Sequence, residues 1–66
     1  MLIYDVNRYS EDAGELPETI VVPNHLESED LETTTANIIE FIEKTYGRKP
    51  SAFGYRSNGR MVRYRV

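Results

Sequence analysis

The chain contains no cysteine and a single histidine, His25. Without thiols there is neither a disulfide framework nor a cysteine nucleophile. A zinc site wants several His or Cys ligands at set spacings, and that donor set is missing. His25 stands beside Pro23 and Asn24 and reads as a solvated loop residue. Glu40 and Glu43 read as part of a solvated helix stripe rather than as an acid and a base. No glycine-rich phosphate loop is present, because Gly47, Gly54 and Gly59 fall at a helix end, in a strand and in a turn. We therefore expect a protein that is not an enzyme, with no metal and no cofactor. Apolar runs are also short. None approaches the roughly 20 residues needed to cross a membrane. The opening Met1-Leu2-Ile3-Tyr4-Asp5 has no preceding basic residues and too short an apolar run for a secretory leader. A soluble, cytoplasmic protein is expected.

Length sets the next limit. Sixty-six residues allow a single domain spanning 1–66, and a chain this small buries only about 60% of its unfolded surface. Its stability must come from a thin apolar core and good local signals.

Acidic residues are absent from the last third of the chain. Of the 11 acidic and 8 basic residues, residues 1–43 hold every acidic one and a single basic one, Arg8. Residues 44–66 hold only basic charge: Lys44, Arg48, Lys49, Arg56, Arg60, Arg63 and Arg65. Such asymmetry fits either a charged partner or mutual pairing inside the fold.

The local patterns predict the order ββαββ. Residues 2–8 alternate with Leu2, Tyr4 and Val6 on one face. Residues 10–15 form an acidic loop, and the β-branched run at 19–22 is closed by Pro23. A helix is expected to start between Ser28 and Asp30, either of which can cap its free N–H groups. It presents Leu31, Thr35, Ile38, Ile39, Phe41, Ile42 and Tyr46 on one arc. The threonines at 33–35 are poor helix formers, so a frayed or displaced first turn is expected. Gly47 and then Pro50 end the helix. Asn58-Gly59 between two alternating runs is the preferred two-residue hairpin turn. It sets Ser57 opposite Arg60 and Phe53 opposite Tyr64. One hairpin face then holds Phe53, Tyr55, Val62, Tyr64 and Val66, and the other Gly54, Arg56, Met61, Arg63 and Arg65.

The expected fold is thus α+β: a four-stranded, mainly antiparallel sheet with one helix packed on one face. The expected core is Leu2, Tyr4, Val6, Ile20, Val22, Leu31, Ile38, Ile42, Tyr46, Phe53, Tyr55, Val62 and Tyr64. Leu16, Leu26 and Met61 are expected to be exposed.

Two surfaces follow as candidate sites. The first is acidic: Glu11, Asp12, Glu15 and Glu18 in the loop, Glu27, Glu29, Asp30 and Glu32 at the helix entrance, and Glu40 and Glu43 along the helix. Carboxylates so arranged stand in for backbone phosphates and are steered to basic clefts. The second is basic: Arg56, Arg60, Arg63 and Arg65 on the hairpin, able to track a phosphate backbone. Alternation puts Tyr55 and Tyr64 in the core, away from that face, so no stacking platform accompanies it.

The segment Glu15-Leu16-Pro17-Glu18-Thr19-Ile20-Val21-Val22-Pro23, the amphipathic helix over 38–46 and the very small single domain resemble short accessory proteins of phages and mobile elements. These include anti-CRISPR proteins, several of which are acidic, DNA-like inhibitors. The resemblance implies an inhibitor whose acidic surface docks onto a basic, nucleic-acid-handling protein complex. The basic last third departs from a pure DNA mimic, and direct nucleic-acid binding or a small structural or regulatory subunit are the alternatives.

Overall fold

The computed structural model describes residues 1–11 and 13–66. Strand β1 spans Leu2–Tyr4 and β2 spans Ile20–Val21; a 3-10 turn covers Asn24–Leu26. Helix α1 runs over Leu31–Tyr46, followed by β3 (Ala52–Ser57) and β4 (Arg60–Arg65). The sheet order is β2-β1-β3-β4, and every neighbouring pair is antiparallel. The fold is therefore the expected α+β arrangement with one helix. Ile38 and Ile42 of α1 pack with Ile3, Ile20, Phe53 and Tyr55 of the sheet.

The hairpin matches its expected register from Ser57↔Arg60 to Ala52↔Arg65. Asn58 and Gly59 both have positive φ, 54° and 74°, as the tight primed turn requires. A two-residue turn closes on a hydrogen-bonded pair, so Arg60, Val62 and Tyr64 spend their backbone groups on β3. Val66 continues this series by donating its N–H to the Ser51 carbonyl at 2.9 Å. The alternate residues Met61, Arg63 and Arg65 consequently turn their N–H and C=O groups to the outer edge of β4.

Asp30 caps α1. Its Oδ2 accepts from the Thr33 N–H at 3.2 Å and from the Thr33 hydroxyl at 2.7 Å. The first turn is not frayed, contrary to expectation. Thr34 is buried, accepts the Ser28 N–H at 2.8 Å and has the Ser28 and Asp30 carbonyls 3.2 Å from its hydroxyl. Side-chain hydrogen bonds here outweigh weak propensity. At the other end Gly47 takes the left-handed conformation, φ 81°, and donates to the Glu43 carbonyl at 2.8 Å.

The Thr33 hydroxyl holds the Asp30 carboxyl below its ordinary value of 3.8. A carboxyl whose pKa falls on folding adds stability above its unfolded value and loses it as pH drops through the folded one. Asp30→Asn keeps the capping oxygen and removes the charge. We expect the variant to be less stable than wild type at neutral pH and the difference to shrink in strong acid. Urea denaturation at the two pH values checks this, and a difference independent of pH would disprove it.

The first strand departs from its expected reading. It ends at Tyr4, because Asp5 and Asn7 both take left-handed conformations, φ 54° each. Ile3 faces the core and is fully buried, whereas Leu2 is 53% exposed and Tyr4 is half-buried on the opposite sheet face. The turn at Asp5 resets the alternation, which returns Val6 to the core. Asn7 is buried too. Its Oδ1 accepts the Ser51 and Ala52 N–H groups at 2.6 and 3.2 Å, and its own N–H donates to the Ala52 carbonyl at 2.9 Å. Three further expectations are corrected. Leu16 is buried, plugging the core from the acidic loop, and Leu26 is half-buried against it. Tyr46, in the last turn of α1, is exposed. Met61 is exposed as expected.

Candidate partner-binding surfaces

Helix α1 covers one face of the sheet. On the other, side chains of all four strands meet solvent. Val21 pairs with Leu2, and Met61 pairs with Arg56. Leu2 and Arg56 border the same hollow, so the four form a row across the sheet. Val21 is 75% exposed and Met61 59%. The next row is Tyr4, Gly54 and Arg63. Tyr4 lies over Gly54 so closely that a Cβ there would come within 2.7 Å of its ring. Only glycine lets this ring approach the β3 backbone so closely. The Tyr4 hydroxyl is enclosed without a hydrogen-bond partner among the described residues. Sequence reasoning missed Leu2, Tyr4 and Val21 on this face. The signal was available in the second parity of the same segment, which puts Ile3 inward.

Arg65 extends the basic stripe beside Ala52. Beyond it a recess of about 190 Å³ gathers Arg8, Arg63 and Arg65 around Asp5, with Tyr9 and Tyr64 on its walls. Asp5 lies 3.1 Å from the Arg8 guanidinium and 3.8 Å from that of Arg63. Its hydrogen bond is the main reason that the Arg8 guanidinium titrates above its ordinary value. Arg8 also lies 5.5 Å from the centre of the exposed Tyr9 ring. Arg56 and Arg65 make no ion pair among the described residues. Arg60 does not join this stripe. It pairs with Ser57, which places it on the helix side of the hairpin at the turn.

The acidic residues are placed differently. Glu15 pairs with Arg48 at 2.5 Å, next to the Gly47 cap, and Glu18 lies 4.0 Å from Arg8. Both therefore belong to the C-terminal end of α1 and the β1 turn. Glu27 accepts from the buried Ser57 hydroxyl at 2.5 Å, and Asp30 caps the helix start. The two groups sit at opposite ends of a helix of 16 residues, about 24 Å long at 1.5 Å per residue. Glu40 is paired with Lys44 at 2.9 Å, and this hydrogen bond raises the Lys44 pKa. Glu11, Glu29, Glu32 and Glu43 are exposed and make no ion pair among the described residues. Asp12 lies outside the described residues. Part of the opposite charge thus cancels within the fold.

His25 is exposed on the 3-10 turn. Among the described residues no three His, Asp or Glu side chains converge as a metal site would need. No helix among them is long and apolar enough to cross a membrane. Compared with protein-family models, curated proteins and solved structures, the chain matches none.

Proposed function

We propose that this chain is a small binding protein without catalytic chemistry, working through the uncovered face of its sheet. The observation that supports this best is the combination on that face. Leu2, Val21 and Met61 are exposed apolar side chains, and Arg56, Arg63 and Arg65 stand among them. Scattered exposed apolar residues are ordinary, but here Val21 and Leu2 stand side by side with Met61 beyond Arg56 on the same face, and apolar exposure clustered among polar groups marks an interaction site. Arginine beside apolar and aromatic groups is the composition of interface cores. The complementary partner is a protein surface with apolar side chains fringed by carboxylates. The chain's net charge of −3 disfavours a long polyanion, because the exposed carboxylates at both ends of α1 repel it.

A second reading keeps the acidic surface as the site of an inhibitor, of the anti-CRISPR or DNA-mimic kind, that blocks a basic nucleic-acid-handling complex. The free carboxylates Glu29, Glu32 and Glu43 support it.

Three folded variants separate the readings. Val21→Glu with Met61→Glu spoils the open face. Arg56, Arg63 and Arg65 to glutamine removes its charge. Glu29, Glu32 and Glu43 to lysine reverses the acidic side while sparing the Asp30 cap. Against partners recovered from host lysate, we expect the first two to bind on the order of tenfold or more weakly and the third to bind like wild type. Binding by wild type should also weaken with salt. Loss confined to the lysine variant would transfer the site to the acidic surface. Gel shifts with DNA and RNA at physiological salt that disappear in the glutamine variant would replace the protein partner by nucleic acid.

A further inference from the structure

We infer that the open edge of β4 takes up an extended peptide of alternating apolar and acidic residues as a fifth strand; this inference rests on the sheet reading above and names the partner's form. Three observations meet at that edge. First, β4 is terminal in the sheet and six residues long. Met61, Arg63 and Arg65 direct their backbone donors and acceptors away from β3, and no described element pairs with them. Such an edge is a ready template for another strand.

Second, the space beside this edge is already shaped for side chains. Between α1 and β4 runs a groove of about 400 Å³ lined by Leu31, Glu32, Thr35, Ala36, Ile39 and Tyr64. A strand laid on β4 points every second side chain to the helix side, into this groove. Its lining is mainly apolar, so those side chains would be apolar too.

Third, the remaining side chains of an added strand point to the opposite sheet face. There they stand beside Arg63 and Arg65, where carboxylates are the complementary groups. The same arginines discourage self-pairing. A second copy laid antiparallel on β4, centred on Arg63, sets that arginine against its own counterpart. Like charges directly opposed are unfavourable, so that register is disfavoured for a second copy, whereas an acidic strand meets complementary charge there.

The test is an NMR titration of the ¹⁵N-labelled full chain with a synthetic peptide of alternating valine and glutamate. Controls are a peptide of the same composition in non-alternating order and one of alternating valine and lysine. The alternating acidic peptide should shift the Met61, Arg63 and Arg65 amides saturably and slow their exchange with solvent. Met61→Pro removes one edge donor without touching the β3 pairing, and Ala36→Arg fills the groove from an exposed helix position. Each should weaken binding at least about tenfold. Should Met61→Pro disturb the fold, Ala36→Arg decides alone. Equal binding of either control peptide would overturn the inference, as would a dimer in sedimentation velocity that Met61→Pro dissolves. So would a DNA oligonucleotide that shifts the same amides more strongly. Peptide-induced shifts confined to Leu2, Tyr4 and Val21 would overturn strand addition while leaving the sheet-face reading intact. Failure of Val21→Glu to weaken partner binding sinks that reading separately, because Val21 lies on the far edge strand.

Discussion

Replacing Phe53 by alanine is expected to leave most of the chain unfolded in mild urea. Phe53 is buried, with its ring centre 5.0 Å from that of Tyr64 and 6.0 Å from that of Tyr55. It links the hairpin to the helix-facing core that also holds Ile3, Ile38 and Ile42. Truncating a buried Phe costs about 3–5 kcal/mol, the spread reflecting how far the cavity collapses. A domain of 66 residues has a total stability of about 3–10 kcal/mol at typical values per residue. One side chain therefore accounts for a large share of the whole, as expected where the core is thin. Phe53→Leu keeps most of the apolar volume and should lose much less. Urea titration followed by circular dichroism measures both. A midpoint for Phe53→Ala close to that of wild type would mean that this aromatic cluster does not hold the fold together.

The second large effect is expected at a polar residue. Asn7 is fully buried in a left-handed turn. Its side-chain oxygen receives two backbone N–H groups, from Ser51 and Ala52. Alanine would strand both donors, at about 1–3 kcal/mol each for a buried unsatisfied group. It would also be held at φ 54°, a conformation costing L-residues about 1–2 kcal/mol. We expect Asn7→Ala to cost about 3 kcal/mol or more, the sum of the two terms at their lower ends. Asn7→Gly tolerates the positive φ but lacks the acceptor, so it should recover only the conformational part. Comparing the two by urea denaturation separates strain from hydrogen bonding. Should Asn7→Gly restore wild-type stability, the two hydrogen bonds contribute little.

Asn7 also shows where reading along the chain falls short. Its alternation with Asp5 looks like the polar face of a strand, and nothing local distinguishes a solvent-facing Asn from one that stands in for a strand residue. What distinguishes it is the arrival of Ser51 and Ala52, more than 40 residues later. Leu16 is a similar case. Its acidic, Pro-flanked neighbours read as loop, and the segment is a loop, but the fold places this one side chain in the core.

The candidate site divides the same way. Arg56, Arg63 and Arg65 were legible as one stripe, because a two-residue turn and strict alternation assign each of them a face. Leu2, Tyr4 and Val21 were not, because the face they occupy depends on which parity of β1 the helix covers. The acidic residues were legible as charge and not as geometry. Their division between the two ends of α1 follows from where residues 13–19 dock, through contacts such as Glu15 with Arg48.

The residues alone determined the hairpin with its register, a helix that starts between Ser28 and Asp30 and ends at Gly47, and the separation of acidic from basic charge along the chain. These rest on interactions between near neighbours: the positive φ that Asn-Gly accepts, the capping bonds of the first turn, the freedom of glycine at the last. Tertiary structure decided which face of β1 is inside, that Asn7 and Leu16 are buried, and that no described element covers the other side of the sheet or the edge of β4. Each of these depends on burying apolar area against elements distant in sequence. One helix is enough to cover a single face of four short strands, and the other face is left to solvent or to a partner.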